Sequence, residues 1–208
     1  TNLAGLGWGG FAAAGVANAV SGSSALLGGL VAVTTVISGK FVAGPIVPGN
    51  GLVVDVYDAL GNLLLSDVPL DANGSFSVTL PGTVPNVIAI LRDTNAAPDY
   101  RDEATGGNVD LNANLAGIGV GVPQPGGTTT VSLNINPVTT VAARLAGVGA
   151  NGTIPQGGIT PEAITQSLAT VQNSFGVSDL NGVAPIDIFD ADFNDTDGNI
   201  SDGERYGQ

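Results

Sequence analysis

Between Ser38 and Asn136 the sequence is a succession of short apolar runs cut by turn signals, and this rhythm constrains the fold more than any other feature. Residues 51–57 (GLVVDVY) place Leu52, Val54 and Val56 on one side and Val53, Asp55 and Tyr57 on the other, the period of two expected of a strand. Residues 58–62 (DALGN) read as a turn with Gly61 and Asn62 as a left-handed pair, and residues 63–65 as the return strand. A second tight turn at residues 71–74 (DANG) precedes residues 75–80, where Phe76, Val78 and Leu80 alternate with Ser and Thr. Residues 87–91 (VIAIL) are apolar without a break, as in a strand buried on both faces. Residues 109–122 and 128–135 add strands around the proline-glycine turn 123–127, and β-branched residues 30–42 supply one more at the start. About seven short strands at this spacing predict a mainly β chain, an Ig-like or prealbumin-like β-sandwich.

After Asn136 the period changes. Pro137 opens a short helix with Val138, Val141, Ala142 and Leu145 at helical spacing, ended by Gly147. Thr160 caps a second helix with Pro161 in its first turn, an apolar stripe of Ile164, Leu168, Val171 and Phe175, and Gly176 as its stop. The pair is expected to cover an open face or end of the sandwich. The chain thus divides into residues 1–36, a sandwich over 37–136, and a helical extension over 137–208.

Residues 1–39 carry no charged side chain, yet Gly5, Gly7, Gly9, Gly10 and Gly15 each weaken a helix there by about 1 kcal/mol relative to Ala. The apolar run 25–38 is broken at Gly28–Gly29 and is shorter than the roughly 20 residues of a membrane-spanning helix. A leader folding back on its own domain and one ordered only by a neighbouring subunit both fit. In the second case Leu27, Leu30, Val31, Val33 and Val36 are the side chains that would dock into the neighbour. An absence of charge suits such a role, because a buried unpaired charge costs several kcal/mol.

Eighteen acidic residues against five basic ones give a net charge of −13, which argues against nucleic acid and anionic membranes as partners. Without cysteine there is no disulfide framework, and without histidine there is no Ser-His-Asp or Cys-His machinery. Acids outside the C-terminal region are scattered on turns, so an enzyme is not expected.

Residues 187–204 (DIFDADFNDTDGNISDGE) hold seven of the acids. Gly198, Ile200 and Glu204 have the spacing of an EF-hand-type loop, while Asp192 and Asn194 fit its early positions only with one extra residue. An aspartate-rich loop using Asp195, Asp197, Asn199 and Asp202 fits nearly as well, and Asp190 lies just upstream. Carboxylates at this density repel one another unless a cation neutralises them, and the all-oxygen donor set points to calcium.

The stretches ISGKFVAG and GLVVDVYDALGNLLLSDVPLDANGSFSVTLP resemble the carboxypeptidase regulatory-like (prealbumin-like, CnaB-related) sandwiches of bacterial surface proteins. The likeness rests on Ser38–Gly39–Lys40, on Val54 to Tyr57 before the Gly61–Asn62 turn, and on the turn at 71–74 before Phe76. NINPVTTVAARLAG looks like the strand-to-helix segment that follows such sandwiches in secreted adhesins and matrix proteins. The resemblance implies a secreted or cell-surface structural or adhesive module. Taken with the leader, it predicts a calcium-stabilised subunit of an extracellular filament or biofilm-matrix fibre, a homo-polymer growing head-to-tail. The alternatives are an adhesin module that binds a surface ligand or other matrix components, and a surface protein anchored in the membrane by residues 1–37.

Overall fold

A computed structural model describes residues 32–102, 104–183, 185–186 and 200–207. The chain divides after Ala32, and the unit that starts at Val33 is a β-sandwich with helices on one face. Ten strands are described: β1 (Thr34–Phe41), β2 (Leu52–Asp58), β3 (Leu63–Pro69), β4 (Ser75–Pro81), β5 (Asn86–Asp93), β6 (Tyr100–Arg101), β7 (Asn108–Val109), β8 (Leu115–Val120), β9 (Val122–Pro123) and β10 (Thr128–Ile135). Three helices are described as well: α1 (Pro137–Ala146), α2 (Pro161–Phe175) and α3 (Asp202–Gly207). The expected seven strands become ten because the stretch 100–123 breaks into short pieces, among them a two-stranded β6–β7 ladder. None of the helices among the described residues is long and apolar enough to cross a membrane.

The strands form two four-stranded sheets, ordered β4-β1-β10-β9 and β3-β2-β5-β8. β1 runs antiparallel to β4 and parallel to β10, with Val36 opposite Thr79 on one side and Thr130 on the other. The first and last strands of the sandwich therefore meet at the centre of one sheet. This moves the expected boundary: residues 34–36 belong to the sandwich, and the backbone of Val36 already pairs on both sides. The Val36 backbone therefore has no free edge to offer a neighbour's sheet, while its side chain is half-buried. Val33, 46% exposed, lies just ahead of the strand, while Leu27, Leu30 and Val31 lie outside the described residues.

Two separate cores follow from the alternation along the strands. Ile37, Phe41, Val54, Val56, Val131 and Leu133 fill the space between the sheets. The uninterrupted VIAIL run of β5 serves both cores: Val87, Ala89 and Leu91 point between the sheets, whereas Ile88 and Ile90 point outward under the helices. Helices α1 and α2 of the 137–208 region pack on this outward face. They complete the outer face of the second sheet.

α1 meets that sheet through Thr139, Ala142, Ala143 and Ala146, leaving Val141 and Leu145 exposed. The buried stripe is therefore rotated away from the one expected from the larger side chains. In α2, Ile164 and Val171 are buried as expected, but Phe175 is 47% exposed at the helix end. On its helix side β8 presents Ala116 and Ile118 to the alanines of α1, and on its other side a Cβ at Gly117 would collide with the carbonyl oxygen of Asn134 and one at Gly119 would lie 2.8 Å from Val131 Cγ1. β8 and β10, in different sheets, thereby come into near contact. The Asn181 carboxamide bridges them, donating to the Ile118 carbonyl at 2.9 Å and accepting from the Asn134 amide at 3.3 Å.

The hairpin turns share one chemistry. In both Asp58-Ala-Leu-Gly and Asp71-Ala-Asn-Gly the aspartate Oδ1 accepts from the amides two and four residues on, at 2.8–2.9 Å. The glycine that follows takes a left-handed conformation, φ +87° at Gly61 and +78° at Gly74. Asn62 does not join Gly61 in that region, because the aspartate side chain already supplies the second constraint. The edge strand β3 carries a bulge at Asp67 (φ +56°), whose amide donates to Asp55 Oδ1. Arg92 ties Asp55 and Asp67 together, so this edge presents charge and a kink to a would-be partner strand.

Candidate metal centre

Asp93, Asp99 and Asp110 come from three strand ends: the last residue of β5, the residue before β6 and the residue after β7. Closure of the β6–β7 ladder gathers them, because the Asp99 amide donates to the Val109 carbonyl at 2.8 Å. One carboxylate oxygen from each lies within 4.8 Å of the others.

Asp99 is the fixed point. It is fully buried, and its two oxygens accept from the amides of Gly51 at 3.0 Å and Leu111 at 2.9 Å. It thereby holds the start of β2 against the end of the β6–β7 ladder. Gly51 also lets Asp93 and Asn95 close in, because a Cβ there would collide with Asp93 Oδ1 and the Asn95 carboxamide. Asp93 Oδ1 in turn accepts from the Asn95 amide at 2.9 Å.

Burial pushes the Asp99 carboxyl above the usual carboxylate range. The two amide hydrogen bonds pull it down, and the negative charges of Asp93 and Asp110 push it up again. Asp110 Oδ1 is enclosed and has no hydrogen-bond partner. An orphaned carboxylate oxygen beside two further carboxylates is costly unless something positive sits among them. With oxygen as the sole donor type and no thiol or imidazole, the group suits a hard metal ion.

The sequence points instead to the C-terminal acids. Asp190, Asp192, Asn194, Asp195, Asp197 and Asn199 lie outside the described residues. The two that are described hold α3 in place. Asp202 Oδ2 accepts from the Ser178 amide at 3.3 Å, and the hydrogen bonds from Ser178 keep its carboxyl below the ordinary range. Glu204 is buried: its Oε2 accepts from the Ser201 amide at 2.6 Å while its own amide donates to Ser201 Oγ at 3.2 Å, a reciprocal cap on the helix. The C-terminal segment is further fixed by Tyr206, whose hydroxyl donates to the Leu180 carbonyl and accepts from the Asn136 side chain, both at 2.9 Å.

The acids called scattered on turns are thus, for three of them, brought together. Spacings of six and eleven residues match no local ligand motif, which is why the cluster escapes a linear reading. The available signal was density: residues 93–110 hold five acids, Asp93, Asp99, Asp102, Glu103 and Asp110, more than turn chemistry alone requires. Comparison with protein-family models, curated proteins and solved structures finds no match, so the resemblance to prealbumin-like sandwiches extends to a β-sandwich with a few short helices and to no particular family.

Proposed function

We propose that the chain is a calcium-stabilised structural module of a secreted or cell-surface assembly, one that holds its neighbours in place and catalyses nothing. The observation that carries this reading is the enclosed, partnerless Oδ1 of Asp110 beside Asp93 and Asp99. Calcium accepts several carboxylates in a flexible shell, whereas magnesium keeps most of its water and demands near-octahedral geometry. Calcium here would join the start of β2, the end of β5 and the β6–β7 ladder, clamping one end of the sandwich. Extracellular calcium modules work at dissociation constants of about 0.1–1 mM, an affinity suited to a structural ion.

Calorimetric titration of the purified chain with calcium tests this. The expected result is a saturable site that Asp110→Asn removes and that magnesium does not fill. Heat that survives unchanged in Asp110→Asn would place the ion elsewhere, with the acids of residues 187–204 as the alternative set. A chain that takes up no calcium would end the reading.

A second reading, head-to-tail polymerisation into a fibre, is favoured by the uncharged sequence ahead of β1 and by β4, which has a strand partner on one side only among the described residues. A strand supplied by another copy would extend that edge with main-chain hydrogen bonds. Light scattering and negative-stain imaging in calcium and then in chelator separate the two readings. Filaments support the polymer, and a monomer under both conditions leaves the module.

A further inference from the structure

The two ends of the sandwich differ in chemistry. One end gathers the starts of β1, β5 and β10 and the finishes of β2, β4 and β8: Thr34 pairs with Pro81 and Thr128, Asp58 with Val87, and Asn86 with Val120. The two sheets are tied together there, because the Val84 amide donates to Thr35 Oγ1 at 2.9 Å. Val33, Leu60, Leu63, Val120 and Val122 stand at this end and are 41–70% exposed. The charged side chains there, among the described residues, are Asp58 and Glu162. Asp58 Oδ1 is engaged by the Leu60 and Asn62 amides, and Glu162 lies in the first turn of α2. The other end, past Phe41 and Asp93 at the finishes of β1 and β5, holds Asp71, Asp99, Asp102 and Asp110 as well. β1 lies between β4 and β10, so the chain ahead of it, which carries no charged side chain, joins the sandwich at the apolar end.

A partner for this end must take aliphatic side chains from three separate segments and leave room for the chain ahead of β1. Stacked end on end, a second copy would press its acidic end onto these side chains and strip water from carboxylates without pairing them. Two copies joined through their apolar ends would have to pass residues 1–32 of both chains through the contact. A lipid bilayer meets both conditions, since it receives side chains without a matching shape and solvates an uncharged, apolar segment. Its headgroups must be neutral overall, because a net charge of −13 is repelled by anionic lipid. Resting on the cell-surface part of the reading above, we infer that this end of the sandwich seats on a neutral phospholipid bilayer. Leu60, Leu63, Val120 and Val122 dip into the boundary between headgroups and acyl chains, and the end with the three aspartates faces away. Such a contact lies on the membrane and needs no spanning helix.

The test uses the full chain with ¹³C-labelled leucine and valine methyls. Sedimentation with phosphatidylcholine vesicles is expected to show saturable uptake, weaker when phosphatidylserine is mixed in. In phosphatidylcholine nanodiscs doped with a gadolinium-chelate headgroup lipid, the methyls of Leu60, Leu63, Val120 and Val122 are expected to broaden. Those of Val141 and Leu145, comparably exposed but carried on α1, are expected to stay sharp. Leu60→Asp and Val122→Asp change exposed side chains and should each weaken uptake about tenfold or more, whereas Leu145→Asp should leave it unchanged. Uptake that both variants retain, with broadening spread evenly over the methyls, would assign the binding to residues 1–32 alone and overturn the inference. So would an absence of uptake at millimolar lipid, or self-association in sedimentation velocity that Leu60→Asp abolishes, which gives this end to a second copy. Calcium uptake is read separately by calorimetric titration, so either reading can fail while the other stands.

Discussion

Replacing Asp110 by asparagine should change the sign of its effect with calcium. The substitution keeps the volume of the side chain and removes one negative charge from a set of three carboxylates with oxygens within 4.8 Å of one another. Without metal, each pair of charges at that separation repels by about 3 kcal/mol at an effective dielectric near 20, an upper figure that solvent lowers at the half-buried Asp93 and Asp110. In chelator the variant should therefore melt at the wild-type temperature or a few degrees above it. With calcium at a hundred times its dissociation constant, binding to the folded state alone adds about 2.7 kcal/mol to the wild type. In a unit of this size each kcal/mol moves the midpoint by roughly 2–4 °C, so the wild type should gain about 5–11 °C and Asp110→Asn little of it. Scanning calorimetry of both proteins, each with calcium at that hundredfold excess (about 10–100 mM) and with chelator, reads all four values. A variant that melts below wild type by the same amount in both conditions would show that Asp110 only packs, and the electrostatic reasoning would fail.

Three further outcomes follow from single contacts. Tyr206→Phe should lower the urea midpoint by the equivalent of about 1–3 kcal/mol, because the Leu180 carbonyl keeps its bond from Asn134 Nδ2 while Asn136 Nδ2 loses the hydroxyl it donates to. Gly117→Ala should cost about 1–3 kcal/mol in the same assay by driving a methyl against the Asn134 carbonyl, whereas Gly107→Ala, which meets only Thr105 Oγ1 at 3.6 Å, should stay within about 0.5 kcal/mol of wild type. Equal costs at the two glycines would refute the close approach of β8 and β10. Asp202, held below the ordinary aspartate range mainly by Ser178, contributes stability that is present above that range and lost as pH falls through its lowered folded value. An NMR pH titration should show the Asp202 midpoint rising in Ser178→Ala, and an unmoved midpoint would reject the contact.

Local chemistry was legible wherever a side chain acts on its own neighbours. The turns at Asp58 and Asp71, the Thr160 and Pro161 start of α2 and its Gly176 stop can be read directly, because each rests on hydrogen bonds within four residues or on one dihedral angle. The VIAIL run likewise announces burial on both faces. The buried stripe on α1 differs from the one that size alone favours, Val141 and Leu145, because the helix lies close on β8, where Thr139 Oγ1 donates to the Ala116 carbonyl and the Ala116 amide donates to Thr140 Oγ1.

By itself, then, the sequence determined a mainly β chain with these turns and caps, a strong negative charge and no sulfur or imidazole chemistry. Only the tertiary structure decided that β1 lies between β4 and β10, that Asn181 bridges the two sheets, and that Asp93, Asp99 and Asp110 come together while Asp110 Oδ1 is left buried and unpaired. The reason is one of range. Turn and cap energies depend on residues a few positions apart, whereas strand order and the three-aspartate cluster depend on which distant segments share a core. No local pattern encodes that choice; the packing of the two cores makes it.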